Sequence, residues 1–370
     1  MKTNKTAVAA LLAATTILGA NAALAEITLG AVIPLSGSNA TPGEDQRRGI
    51  EIAVKEVNDA GGVLGEPIRV IIEDSAGKPQ TAIDAARKLV TVDGVPLVIG
   101  SYSSGITLPM GEYLVQEGIP HLNPASTSGL VRNIGPTSFS MVGLDNVSTE
   151  FAAKEVIANG WKNVAVLAVN NAFGQGVAHE FQKHLEEMGG SVKTSVLFTG
   201  GQPSYRRELQ QLEATDPDAY VFTAYGTDAA LIMQESFELG LQEDAPWYSI
   251  LITMMNKDTA PDFKQGLTGM DVGYLGAGGE GYAQTYQDTY GETFLSAYGG
   301  YAHDAVLFAA KAIEMAGSTD KTAILEAIRK LGDEGFQGAT GEIKLDADGQ
   351  RMSQPYLKFK VEGNDLVTVD

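Results

Sequence analysis

Apolar runs alternate with helix-length amphipathic stretches along most of this chain. ITLGAVIPL (27–35) reads as a buried strand, and the stretch 46–60 carries apolar residues at helical spacing, at Ile50, Ala53, Val54 and Val57. A turn rich in Gly and Asn fills 58–65, and IRVIIED (68–74) reads as the second strand. A helix over 82–90, a strand over 96–100, a helix over 104–117 and a strand over 119–122 continue the alternation. Strands alternating with helical patterns of about 10–15 residues make βαβ units and a parallel sheet.

A second series starts near Asp145, with a helix over 147–159, VAVLAV (164–169) as a strand, a helix over 175–188 and a strand over 191–198. It continues through a helix over 204–214, AYVFTA (219–224) as a strand and a helix over 227–239. Helices are expected over 282–297, 302–316 and 319–331, and antiparallel strands near 341–345 and 355–361. Two α/β series predict two lobes, each with its own sheet. In open parallel sheets ligands sit at the carboxyl ends of strands. With two lobes, that place is the cleft between them.

The first 25 residues stand outside this pattern. Lys2 and Lys5 precede a largely apolar stretch over 7–20, and Ala23-Leu24-Ala25 supplies the small residues a signal peptidase reads. The stretch is short of the roughly 20 apolar residues a membrane span needs. A cleaved signal peptide over 1–25 and an exported, periplasmic protein starting at Glu26 are therefore expected. The chain has no cysteine, so its hydrophobic core must hold the fold without disulfides. Lys and Arg number 26 and Asp and Glu 46. Without the two leader lysines the balance is 24 against 46, a net −22. Such a charge argues against nucleic acid and anionic membranes as partners. It leaves room for a small anion, because surface charge is screened beyond about 8 Å at physiological salt.

SYSSGIT (101–107) follows an apolar strand and opens a helix. Unpaired N–H groups at a helix start, joined by serine hydroxyls, can hold a carboxylate or phosphate; simple capping by Ser103 or Ser104 is the plainer use of the same residues. NPASTSG (123–129) follows the next strand and adds Ser126, Thr127 and Ser128. Tyr225 and Phe173 stand at strand ends of the second series.

Catalytic and metal patterns fail on spacing. Ser101 stands where a nucleophile elbow needs its first Gly. GAGGEG (276–281) has dinucleotide-type glycines, but helix follows helix there instead of a βαβ unit; it reads as a flexible crossing between lobes. His179 and His184 lie five residues apart, too far round a helix to share a zinc. DADG (346–349) lacks the distal Glu of a calcium loop, with Leu357 in its place, and reads as a hairpin turn. No enzyme activity, cofactor or metal is expected.

Together the leader, GAVIPLSG (30–37), GIEIAVKEVNDAGGVLG (49–65), VIGSYSSGIT (98–107), NPAST (123–127) and NAFGQG (171–176) resemble the leucine/isoleucine/valine-binding protein family, class I periplasmic receptors of ABC importers. The resemblance covers essentially the whole chain after residue 25. It implies an α/β fold of two lobes, each a mostly parallel sheet flanked by helices, with three hinge crossovers near 141–144, 274–277 and 352–355. Lobe 1 would comprise 26–141 plus 277–352, and lobe 2 144–274 plus 355–370. The resemblance also implies a ligand carboxylate held by Ser104, Gly105, Ala125 and Thr127, in a cavity shaped by Tyr102, Phe173 and Tyr225.

Three departures bear on the ligand. Phe173 stands where the branched-chain receptors carry a tyrosine, and Pro42 replaces an aromatic lid residue, for which Tyr102 compensates. The stretch 249–253 holds no acid where the family places its ammonium-binding glutamate. Either Asp145, Asp228 or Asp304 substitutes, or the ligand has no amine; the apolar SILITMM stretch (249–255) suits an aliphatic or aromatic tail. The expected protein is a monomeric binding component that delivers a neutral amino acid, or an amine-free carboxylate, to an ABC permease. A sensor for amides or urea-like compounds and an exported hydrolase are the alternatives.

Overall fold

The computed structural model describes residues 26–369; the expected leader lies outside the described residues. Five strands make an all-parallel sheet: β1 (Ile27–Ile33), β2 (Ile68–Asp74), β3 (Val98–Gly100), β4 (His121–Asn123) and β5 (Ser138–Ser140), in the order β2-β1-β3-β4-β5. A second parallel set is β6 (Asn163–Val169), β7 (Ser191–Phe198), β8 (Ala219–Thr223), β9 (Trp247–Ile250) and β10 (Thr268–Val272). The short β11 (Phe336–Gly338) and β12 (Gly341–Ile343) pair only with each other, whereas β13 (Tyr356–Glu362) and β14 (Asp365–Val369) add antiparallel to β10. The second sheet therefore runs β14-β13-β10-β9-β8-β6-β7. This is the α/β architecture of two sheets flanked by helices that the sequence predicts.

The central parallel strands of each sheet, β1 and β3 in the first and β6 and β8 in the second, are buried on both faces. Helices Tyr298–Ala316 and Lys321–Glu334 return to the first sheet, where Ala305, Phe308, Ile313 and Ile328 pack against Leu29, Ile99 and Phe139. The chain passes between sheets three times, and the three connections touch. Gly143 N–H donates to Gln354 Oε1 at 2.9 Å, Gly273 N–H to Pro355 O at 2.8 Å, and the Arg351 guanidinium to Met141 O at 2.9 Å.

One predicted helix is wrong. The stretch 282–297 splits into helix Glu280–Tyr290 and a turn, because Gly291 caps the helix in the left-handed region at φ 71°. The turn is then captured by Asp45. Its fully buried carboxylate accepts the N–H of Leu295, Ser296 and Gly299 and the hydroxyls of Ser296 and Tyr286. The 276–281 crossing is packed closely where the sequence suggests flexibility. A Cβ at Gly276 would lie 2.3 Å from Gly341 Cα, and one at Gly279 would lie 2.4 Å from Ala339 O. The stretch 346–349 is a closed turn whose Asp346 and Asp348 carboxylates are both taken by Arg132. Among the described residues no His, Cys, Asp and Glu cluster could hold a metal, and no helix is long and apolar enough to cross a membrane.

Candidate functional site

The strand ends of the two sheets face each other, and helix starts line the space between them. Ser103 precedes helix Ser104–Gln116, Asn171 caps helix Ala172–Glu187 with bonds from Phe173 N–H and Gly174 N–H at 3.0 Å, and Tyr225 precedes helix Gly226–Leu239. Ser103, Asn171 and Tyr225 all line one chamber open to solvent. The N–H groups in the first turn of each helix have no intrahelical acceptor, so this space favours negative charge.

Hydrogen bonds cross the gap. Ser103 Oγ and Tyr225 Oη share one at 3.1 Å, Ser128 Oγ donates to Ala172 O at 3.1 Å, and Thr41 Oγ1 donates to Asp258 at 2.7 Å. Behind the Ser103–Tyr225 pair lies a small, nearly closed inner cavity of about 10 Å³. Its wall is Tyr102, Ser104, Ala125, Thr127, Phe173, Tyr225, Leu251, Met254 and Tyr298, and every one of them is buried. The cavity has room for about one water, so its walls must part to admit a larger molecule.

The polar end of the cavity is built by the loop after β4. Asn123 Oδ1 accepts from Ala125 N–H at 3.2 Å and Ser126 N–H at 2.8 Å, and its amide donates to Ser126 O. Ala125 thus offers its carbonyl, because its N–H is already taken. Ser104 Oγ accepts from Ser128 N–H at 3.2 Å, which aligns the two hydroxyl-bearing loops. At the other end the rings of Tyr102 and Tyr298 meet edge-on at 5.3 Å, and Phe173 and Tyr225 lie 5.5 Å apart. Leu251 takes a left-handed backbone conformation at φ 61°, an unfavourable one for a side chain with a Cβ. It is fixed from behind: Ile252 N–H donates to Met270 O, and Thr253 N–H to Asp271 at 2.7 Å.

Two buried acids flank this arrangement. Asp271 is pushed up to about 7 by burial, against hydrogen bonds from Thr253 and Val272. Asp145 is also pushed up to about 7, chiefly by burial, with the Thr127 hydroxyl opposing and the charge of Glu180 adding to the rise. Its backbone N–H donates to Thr127 O at 2.6 Å, so it stands directly behind the cavity wall. Both carboxylate oxygens lack a well-formed hydrogen bond among the described residues. The other two acids named from sequence are engaged elsewhere. Asp228 accepts from Gly201 N–H and the Tyr205 hydroxyl and lines the outer chamber. Asp304 accepts from Ala339 N–H, Thr340 N–H and the Thr340 hydroxyl and contacts His303. Asp304 is thereby removed as an ammonium partner.

Six residues singled out in the sequence, Tyr102, Ser104, Ala125, Thr127, Phe173 and Tyr225, share the inner cavity; Gly105 lies in the outer chamber beside Asn171. Pro42, in the first turn of helix Ala40–Asp59, does not line the cavity. Leu251 and Met254 fall in the apolar 249–255 stretch, in which the sequence distinguishes no single residue. Tyr298 is absent from the sequence reading. Its signal was the Gly299-Gly300 pair beside it. A Cβ at Gly299 would lie 2.7 Å from Asp45 Oδ2, so this close contact carries Tyr298 to the wall.

Known proteins agree with this geometry. The sequence profile of the periplasmic binding protein family matches residues 26–365. The chain belongs to that family. It is 28% identical over 349 residues to Leu/Ile/Val-binding protein homolog 1 of Brucella abortus (strain 2308), covering 92% of this chain and 91% of that one. As a periplasmic binding protein it also superposes on a leucine binding protein, LivK, from Thermotoga maritima, at 24% identity and TM-score 0.83, covering 93% and 98% of the two chains. An ABC transporter solute binding protein from R. palustris in complex with benzoate matches at 18% identity and TM-score 0.82, covering 93% and 96%. The relatives by sequence are ligand-binding proteins of the Leu/Ile/Val type.

Proposed function

We propose that this periplasmic binding protein is exported, loses residues 1–25, and delivers a neutral amino acid to an ABC permease. Its two sheets are the cores of two lobes, 26–141 plus 277–352 and 144–274 plus 355–370, which close over the ligand by hinge motion at the three touching connections. Ser104, Gly105 and Thr127 hold the carboxylate through hydroxyls and first-turn N–H groups. The Ala125 carbonyl and the Asp145 carboxylate take the ammonium. Tyr102, Phe173 and Tyr225 shape the remaining space, and no bond is made or broken.

The observation that carries the amino-acid reading is Asp145. A buried carboxylate without well-formed hydrogen bonds is costly, and an ammonium group at Thr127 would relieve it. A second reading, an amine-free carboxylate, is favoured by a different observation: no acid is among the residues of the cavity wall itself.

Calorimetric titration of the purified protein with L-leucine and with its deaminated analogue 4-methylpentanoate separates the two. Binding of leucine alone supports Asp145 as ammonium partner. Binding of the analogue alone transfers the assignment to amine-free carboxylates. Heat from neither, across a panel of the neutral amino acids, overturns the amino-acid reading.

A further inference from the structure

Three hydroxyls of the inner cavity's wall residues take no part in the carboxylate and ammonium contacts, those of Tyr102, Tyr225 and Tyr298. Tyr102 Oη is fully buried and has no hydrogen-bond partner among the described residues. The whole residue is 3% exposed. Burial holds its phenol well above the ordinary range, so it stays protonated and able to donate.

Its neighbours in the cavity wall do not pair with it. The ring is wedged edge-on against Tyr298 at 5.3 Å and tilted against Tyr225 at 5.8 Å. Tyr225 Oη is already engaged with Ser103, and the Ser126 hydroxyl is directed to the Tyr102 backbone carbonyl at 3.0 Å. Leu251, Met254 and Phe173, which share the cavity with Tyr102, present only apolar surface. Among other buried tyrosines, Tyr205 donates to Asp228, Tyr286 to Asp45 and Tyr301 to Gly273 O, whereas Tyr248 and Tyr282 are unpaired like Tyr102; Tyr102 differs from those two in lining the inner cavity. Tyr102 lines the cavity, so a molecule bound there can pair its hydroxyl.

We propose that Tyr102 determines specificity, its hydroxyl recognising an oxygen or nitrogen atom in the side chain of the bound ligand. The inference rests on the amino-acid reading above and narrows it to small neutral amino acids whose side chains carry a hydroxyl or an amide. An apolar side chain of the same shape leaves the phenol buried and unpaired. A site built to hydrogen-bond its ligand rejects the analogue that lacks the group for this reason.

The test is calorimetric titration of wild type and Tyr102→Phe with two near-isosteric pairs, L-threonine against L-valine and L-asparagine against L-leucine. Wild type is expected to prefer threonine and asparagine. Tyr102→Phe keeps the ring and its packing, and should lower affinity for those two by roughly three- to tenfold while leaving valine and leucine unchanged or tighter. Preference ratios that Tyr102→Phe does not move overturn the proposal and leave the amino-acid reading standing. Absence of binding by all four overturns both. The melting temperature of the ligand-free variant is an independent check. An orphan hydroxyl predicts a value equal to or above wild type, and a fall of several degrees would reveal an internal partner and overturn the proposal.

Discussion

Ser103 and Tyr225, 122 residues apart, share a hydrogen bond of 3.1 Å between the start of one helix on the first sheet and the start of another on the second. The pair stands between the outer chamber and the inner cavity, and Tyr225 lines both. It ties the two sheets together at the mouth of the site.

Tyr225→Phe removes that bond and keeps the ring against Phe173. A net hydrogen bond contributes about 0.5–1.5 kcal/mol, so the closed arrangement should lose that much and apparent ligand affinity should fall up to about tenfold. Calorimetry checks the affinity. Scattering of the ligand-saturated protein should show no gross change in compactness.

Ser104→Ala with Thr127→Val removes both hydroxyls from the polar end of the cavity. Hydrogen bonds to a charged group contribute about 1.5–3 kcal/mol each, so the double variant should lose several kcal/mol of binding with its fold intact. Circular dichroism confirms the fold. Undiminished affinity would remove these residues from the carboxylate site.

Asp145 couples binding and stability to pH. Burial pushes it from an ordinary 3.8 up to about 7. Between those values the unfolded chain has released its proton and the folded chain retains it. The stabilisation is therefore full below about 3.8 and is lost as pH rises towards 7, by up to about 4 kcal/mol. Denaturant titrations of wild type and Asp145→Asn over this window should diverge, with the variant flatter. An ammonium-bearing ligand needs the ionised form, so amino-acid affinity should strengthen as pH rises through about 7.

His121 gives the opposite slope. It is fully buried between Ser138 Oγ at 2.8 Å and the Gly100 carbonyl. A carbonyl only accepts, so Nε2 carries the proton and Nδ1 accepts from the serine. Burial lowers this histidine from 6.5 to about 4. Below pH 6.5 the unfolded chain takes up a proton that the folded chain refuses, so stability is full above 6.5 and falls towards pH 4, by about 3 kcal/mol. Comparison with His121→Gln isolates that loss from the contribution of Asp145.

Much of the fold is written in local pattern. β1, β2, β6, β7 and β8 are runs of five residues or more bounded by turns, and the helices between them carry amphipathic or apolar spacing. The short strands are less legible. β5 has three residues and β9 four, too few for period two to separate from noise, and they become strands because neighbours in the folded sheet pair with them, β4 with β5, and β8 and β10 with β9. The predicted helix over 282–297 failed because Gly291 and the distant Asp45 carboxylate act together, and apolar spacing records neither.

The site divides along the same line. Small hydroxyl residues after β3 and β4 announce an anion site through the chemistry of helix starts, which is local, so Ser104 and Thr127 could be named from sequence. Choosing among Asp145, Asp228 and Asp304 could not be done there, because an acid's role depends on which donors the folded chain brings to it. Asp228 meets Tyr205 and Gly201, Asp304 meets Ala339 and Thr340, and Asp145 alone of the three is left without a well-formed hydrogen bond. The same holds for Tyr102 and Tyr298. Composition makes them aromatic, but only packing across two sheets turns one hydroxyl into an unpaired group in the cavity wall. Sequence determined the elements and the anion-binding loops because those follow from neighbours along the chain; tertiary structure decided which buried polar groups are satisfied, because burial and partnership are properties of the whole fold.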